Sequence, residues 1–265
     1  MILGWAHDYL LSERLGGAQL TNAEMLRHVP DGIEIVHCLP GKVLGADAYV
    51  LNNVKRFSFD ELYRMTRRPY VKFEHDYWDT PQRWQRQSVR DVMRNARAVV
   101  FLSPLHRQTF QRHWGITLDN AHLVPSAIDA TPFYSAPERW GTCWLGVYRD
   151  HKGVREACAW AEEHGEVDFY GFGPETPSGP NVCDRGSLEY ARVPDVLARY
   201  ERFLFLPRWH EPFGRTVAEA LLSGCQVVGN DRIGCLSWDW QGVEHLRAAV
   251  TTAPVTFWEI IQRAL

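Results

Sequence analysis

Apolar runs short enough to be buried strands alternate with segments of helical period along most of the chain. Strands are predicted at 33–37, 48–51, 70–74, 98–102 and 122–124, then at 142–147, 167–170, 203–206 and 226–229. Helical patterns lie between most of them, and this alternation points to parallel sheets in an α/β architecture. The interval 125–140 breaks the rhythm with Pro125, Pro132 and Pro137 among turn-forming residues. It reads as a linker, making 1–133 an N-terminal and 134–253 a C-terminal α/β domain. The last stretch, 254–265, is predicted to be a short apolar helix packing back across the join.

One helix is marked by its start. Thr80 suits an N-cap and Pro81 a first helical position, with 82–98 following. At 100° per residue Arg83, Arg86, Arg90, Arg94 and Arg97 fall within about 80° of one another. Val89, Val92, Met93 and Ala96 occupy a different face, so the arginines form a stripe turned away from the core. The formal net charge of -3 hides this local excess: 55–112 carries 13 Lys and Arg against 6 Asp and Glu. Phe57, Phe59, Tyr63, Tyr70, Tyr77, Trp78 and Trp84 are interleaved with the cations. Arginines for phosphates and aromatics for stacking would suit a nucleic-acid partner. A solvated face explains the same pattern, and the negative net charge argues against indiscriminate DNA binding.

The stretch richest in chemistry is 203–225, FLFLPRWHEPFGRTVAEALLSGC. A buried strand runs into a loop containing Gly214, and the loop opens an amphipathic helix near Thr216. In open α/β sheets ligands bind beyond the carboxyl ends of strands. The unpaired first amides of such a helix, at the positive end of its dipole, favour a phosphate. Gly214 lets that ligand approach the backbone. Glu211 precedes the helix and Glu219 lies within it, so the two acids can serve different parts of one ligand.

Glu211-Pro-Phe-Gly-Arg-Thr-Val-Ala-Glu219 resembles the E-x7-E motif of retaining GT-B glycosyltransferases, family 4 in particular, and the EAL-x-x-G continuation strengthens the match. Other segments resemble that family in order. Residues 144–153, WLGVYRDHKG, resemble the segment opening the donor domain, with Lys152 at the position that contacts the donor diphosphate. Val147 stands where the family often has Arg, and Arg149 is the candidate substitute. Residues 168–173, DFYGFG, resemble the strand and glycine turn at the nucleotide base, which brings in Gly171. Residues 124–133 resemble the segment ending the N-terminal domain, with Ser126-Ala127 replacing Asn-Gly, and 14–19, RLGGAQ, resemble the first glycine loop, which brings in Gly16 and Gly17. His75, at a predicted strand end, matches a family histidine near the transferred sugar and the acceptor, with Asp76 beside it. The Glu74-His75-Asp76 run also resembles the metal-binding acidic motif of GT-A enzymes, a reading set aside because Lys152 and a helix N-terminus supply the charge neutralisation.

The resemblance implies a GT-B fold, two Rossmann-like domains facing across a cleft, and transfer of a sugar from a nucleotide-sugar donor to a hydroxyl acceptor with retention of configuration. It implies catalytic roles for Glu211, Lys152 and His75. Donor contacts are expected from Gly16, Gly17, Arg149, Gly171, Phe213, Gly214, Arg215, Thr216 and Glu219, the last on the ribose. Acceptor contacts are expected from Asp76, Arg83, Arg86, Arg90 and Arg94, the acceptor being a hydroxylated base in DNA. The alternatives are a surface-glycan, lipid-linked or small-molecule acceptor, or a non-catalytic sugar-nucleotide or glycan binder. No cofactor and no metal is expected.

The remaining composition narrows little else. Six scattered cysteines contain no CxxC pair, and the 11 His show no HExxH spacing, which argues against a zinc site or a disulfide framework. No apolar run reaches the length of a membrane span, and the start, MILGWAHDYL, lacks a basic n-region and cleavage pattern. The expectation is a cytoplasmic protein without integral membrane contact.

Overall fold

The computed structural model describes residues 1–13, 16–77 and 86–265, the side chains of 86–88 excepted. The chain divides into two compact units, Met1–Ile128 with Val250–Leu265, and Asp129–Ala249. Each is built on one parallel sheet with helices between its strands.

Unit 1 runs β1 (Ile2–Ala6), α1 (Gly17–Leu26), β2 (Glu34–Cys38), β3 (Ala48–Leu51), α2 (Phe59–Thr66), β4 (Tyr70–Phe73), α3 (Arg86–Asn95), β5 (Ala98–Phe101), α4 (Pro104–Trp114) and β6 (Ala121–Leu123). The sheet order is β2-β1-β3-β4-β5-β6. One face packs Leu62, Met65, Val89, Met93, Phe110 and Trp114 from the helices. On another side Trp5 and Phe73 meet Phe257, with ring centroids 5.9 and 4.7 Å apart. The Trp258 indole donates to the Met25 carbonyl at 2.8 Å, so its one polar atom is satisfied.

Unit 2 runs β7 (Trp140–Val147), α5 (Val154–His164), β8 (Val167–Phe172), β9 (Val182–Gly186), α6 (Val193–Leu197), β10 (Tyr200–Phe205), α7 (Arg215–Leu222) and β11 (Gln226–Gly229), ordered β11-β10-β7-β8-β9. α8 (Val243–Ala264) follows and belongs to unit 1 from Val250 onward. No helix among the described residues is long and apolar enough to cross a membrane.

Two strands escape the sequence pattern. β1 contains Gly4, which breaks the apolar run; a Cβ there would lie 2.3 Å from the Tyr49 ring, so close packing demands the glycine. β9 is an edge strand carrying Asp184 and Arg185, and its polar side chains hide it from an apolar search. Two helices differ in extent. The helix expected over 82–98 is α3, and it stops at Asn95, with Ala98 opening β5. Asn120 Nδ2 takes the carbonyls of Met93 and Ala96, at 3.2 and 2.6 Å, in place of a further turn. Thr80 and Pro81 lie outside the described residues. The terminal helix begins at Val243 rather than near Pro254, and the proline sits within it. Pro254 has no N–H for the Val250 carbonyl, which accepts from Ile128 N at 3.3 Å instead.

Candidate functional site

In unit 2 the strand order reverses between β7 and β10, and the loops leaving those two neighbouring strands carry Lys152 and Glu211. This is the switch point at which open α/β sheets form ligand crevices. The two loops touch backbone to backbone: a Cβ on Gly153 would lie 1.9 Å from the Leu206 carbonyl oxygen, and Gly153 has φ +77°. Only glycine meets both demands. The contact brings Lys152 Nζ to 2.7 and 2.8 Å from the two oxygens of Glu211. Glu211 is buried at 8% exposure, and its backbone is held by Arg232 O at 2.7 Å and Gly234 N at 3.0 Å. Three residues on, Gly214 (φ +81°) turns the chain into α7, whose first amides have no carbonyl to reach within the helix. Thr216 is half-buried on the first turn.

The rest of the expected donor set divides. Arg149 is exposed next to this loop. Arg215 and Glu219 are turned inward onto each other. Arg215 Nε lies 2.9 Å from Glu219 Oε1, the Tyr190 hydroxyl donates to the same oxygen at 2.8 Å, and Arg215 reaches the Tyr190 hydroxyl at 3.0 Å. Glu219 is 1% exposed, and burial pushes its carboxyl up against the pull of Arg215. Arg215 and Glu219, both expected at the donor, thus hold each other and Tyr190 inside the unit. Phe213, also expected at the donor, is buried at 3% exposure. Gly171 serves packing between strands, since a Cβ there would lie 2.0 Å from the Gly146 carbonyl oxygen of β7.

Unit 1 has its own switch point, between β1 and β3. Asp8, after β1, accepts from the amides of Lys55 at 3.1 Å and Arg56 at 2.9 Å, which ties the two loops together. His7 Nε2 and His37 Nδ1 are 3.1 Å apart, and burial followed by the charge of His37 lowers His7 to about 4. His75, after β4, is buried with Nε2 3.1 Å from Asn22 Oδ1 and 3.4 Å from Asn52 Oδ1. Asn52 Nδ2 donates to the Ala6 carbonyl, so its oxygen is the acceptor and His75 carries its proton on Nε2. His75 Nδ1 meets no hydrogen-bond partner among the described residues. Burial, with Lys72 and His106 adding, holds His75 well below the usual range, so it is neutral. Beneath it Lys72 and Glu74 form a buried pair at 3.1 Å. Asp76 is paired with Lys55 at 2.6 Å. Gly16 precedes α1 and Gly17 is its first residue, while Arg14 and Leu15 lie outside the described residues.

The arginine stripe is broken up. Arg90 is half-buried and donates from Nε to the Trp114 carbonyl at 2.8 Å, so it braces α3 on α4. Arg94 and Arg97 are exposed. Arg83 and the side chain of Arg86 lie outside what the structure describes. Of the interleaved aromatics, Phe57, Tyr70 and Tyr77 are buried core, Phe59 and Tyr63 are exposed, and Trp78 and Trp84 are not among the described residues. His7, Asp8, Asn22 and Asn52 are the polar residues at these loops that sequence reasoning passed over. Recognising β1 would have exposed the first two as residues at a strand's carboxyl end.

Glu166, Asp168 and Cys183 place ligand atoms within 4.8 Å of one another. Asp168 already accepts from Arg185 and Tyr200, so this group is a hydrogen-bonded network in its present form.

No described protein family matches the sequence, and no curated protein matches it. Solved structures do. HepE of Anabaena, in complex with UDP and glucose, aligns with TM-score 0.65 at 14% identity, over 100% of this chain and 94% of that one. Sucrose-phosphate synthase from Thermosynechococcus elongatus aligns with TM-score 0.67 at 13% identity, over 100% and 94%. The chain has the GT-B fold. An alpha-glucosyltransferase in complex with UDP and a 13-mer DNA containing a HMU base shares it with TM-score 0.59 at 10% identity, over 100% and 95%.

Proposed function

We propose that this chain is a glycosyltransferase that moves a sugar from a nucleotide-sugar donor to a hydroxyl acceptor with retention of configuration. The observation that carries the reading is the Lys152–Glu211 pair at the β7/β10 switch point beside the N-terminus of α7. A departing diphosphate needs fixed positive charge, and a preorganised ammonium with free helix amides provides it without reorganisation. On donor binding Lys152 moves to the diphosphate, and Glu211, freed from the pair, orients the sugar hydroxyls. The leaving phosphate accepts the acceptor's proton. This neutralisation replaces a metal ion, and chelators should leave turnover unchanged. In unit 1, His75 works at the acceptor side, kept neutral and oriented by Asn22 and Asn52. Gly214 and Thr216 line the phosphate, and Arg149 supplies a second cation. HepE and the synthase are crystallographic relatives in fold, and the UDP of the HepE complex makes uridine diphosphate sugars the first donors to try. The six free cysteines fit the reducing cytoplasm.

Transfer to a hydroxylated base in DNA is the second reading for the acceptor. It is favoured by exposed Arg94 and Arg97 and by the DNA-bound glucosyltransferase of the same fold. With Arg90 taken up in packing, the cationic support is narrower than the sequence implied. The deciding experiment is diphosphate release over a panel of sugar nucleotides, followed by the anomeric configuration of the product. Binding without turnover on any donor–acceptor pair, or an inverted product, would reject the proposal.

A further inference from the structure

The sheet of unit 2 has a second populated edge, opposite the one just described. At the N-terminal starts of β7 and β10, Trp140, Tyr170, Arg192, Asp195, Arg199 and Tyr200 line a pocket of about 160 Å³. Arg192 ends a 3-10 turn, Asp195 lies on α6 and Arg199 follows the end of α6. Trp140 N donates to the Arg199 carbonyl at 2.9 Å, which joins the start of β7 to the turn before β10. Trp140 is 55% exposed, an unusual place for so large an aromatic.

The floor of this pocket is fixed and electrically neutralised. Asp168 accepts from Arg185 Nε at 2.7 Å and from the Tyr200 hydroxyl. Tyr200's proton is thereby committed, so the Tyr170 hydroxyl, 2.9 Å away, donates to Tyr200's oxygen. The rim is different. Neither Arg192 nor Arg199 pairs with a carboxylate among the described residues, while Asp195 is held by the Tyr134 hydroxyl at 3.1 Å. Two arginines, one aspartate and an exposed tryptophan therefore line the space over a hydrogen-bonded base, with one positive charge left over. Ligands of drug size need roughly 300 Å³ or more. This space admits a single ring.

We propose that this pocket binds one monosaccharide unit bearing a single negative charge, a hexuronate in chemical class. The ring's C–H face lies on Trp140, its hydroxyls divide between Asp195 and one guanidinium, and its carboxylate takes the other guanidinium. The site is separate from Lys152 and Glu211, which lie at the far ends of the same strands, roughly 25 Å away along the eight residues of β7. It does not rest on the proposed transfer activity.

The test is ligand-observed NMR on the full chain with glucuronate and galacturonate as probes, and with glucose and inorganic phosphate as controls. Saturable uronate binding is expected, weakened at least about tenfold by Arg199→Ala through loss of a charge-assisted contact, and by Trp140→Ala through loss of the apolar face under the ring. Both side chains are exposed, so melting temperature should hold. Excess UDP should leave the uronate signal in place. No saturable uronate binding overturns the proposal. So does equal binding of glucose, which removes the charge; equal binding of phosphate, which removes the sugar; or displacement by UDP, which assigns the signal to the donor site.

Discussion

Replacing Lys152 by alanine should separate what the Lys152–Glu211 pair does for folding from what it does for chemistry. At about 3 Å, with an effective dielectric near 20, the two charges attract by roughly 5–6 kcal/mol. Desolvation of both ions offsets most of that. The Lys152 side chain is 29% exposed, against 11% for Glu211, so solvent screens the pair further. Losing Lys152 should therefore destabilise unit 2 by about 1–3 kcal/mol, chiefly by leaving a buried carboxylate unpaired. The kinetic loss should be larger. Removing one preorganised charge from a developing anion costs about 2.7–4 kcal/mol, or 10²–10³ in kcat. Urea unfolding and diphosphate release would be measured on Lys152→Ala, Glu211→Gln and the double variant. The double variant should regain much of the stability lost in Lys152→Ala but none of the turnover. Recovery of turnover along with stability would refute the reasoning, because the pair would then be a structural bridge only. So would turnover in Lys152→Ala within threefold of the parent.

Gly153→Ala should destabilise unit 2 by at least about 2 kcal/mol, through a left-handed φ and the collision with the Leu206 carbonyl, and urea unfolding would show it. Arg215→Met strands Glu219 in the interior and should cost about 3–5 kcal/mol, whereas Tyr190→Phe should cost about 1, a contrast readable in the same assay. Burial lowers His106 to about 3 and His7 to about 4, against 6.5 in the unfolded chain. Both are neutral when folded, so above pH 6.5 neither affects stability. As pH falls from 6.5 toward 4 the unfolded state binds protons the native state refuses. Stability should then drop by up to about 1.4 kcal/mol per pH unit for each histidine. Equilibrium unfolding at several pH values checks this, and His106→Gln should remove its share of the slope.

Local pattern was enough for the strand, loop and helix start around Glu211 in unit 2. The apolar strand β10, Gly214 and the amphipathic turn of α7 lie within one short segment, so their order alone implied a strand, an anion-binding helix start and an acid before it. The same local reasoning placed most strands, because parallel strands buried on both faces read as plain apolar runs. It failed at β1, where packing against Tyr49 imposed a glycine, and at β9, whose edge position leaves no apolar signature. It failed again wherever the partner of a charge mattered. Arg90 faced away from the apolar stripe of its helix, yet the Trp114 carbonyl claimed it. Arg215 and Glu219 lie in the segment that reads as ligand-binding, and the fold pairs them with each other and with Tyr190. Amino-acid order by itself determined which residue types reach the strand ends. Only the tertiary structure decided which of them remain available to a ligand, because a charge's fate depends on burial and on partners supplied by distant segments, as Glu211 is to Lys152 and Asn52 to His75.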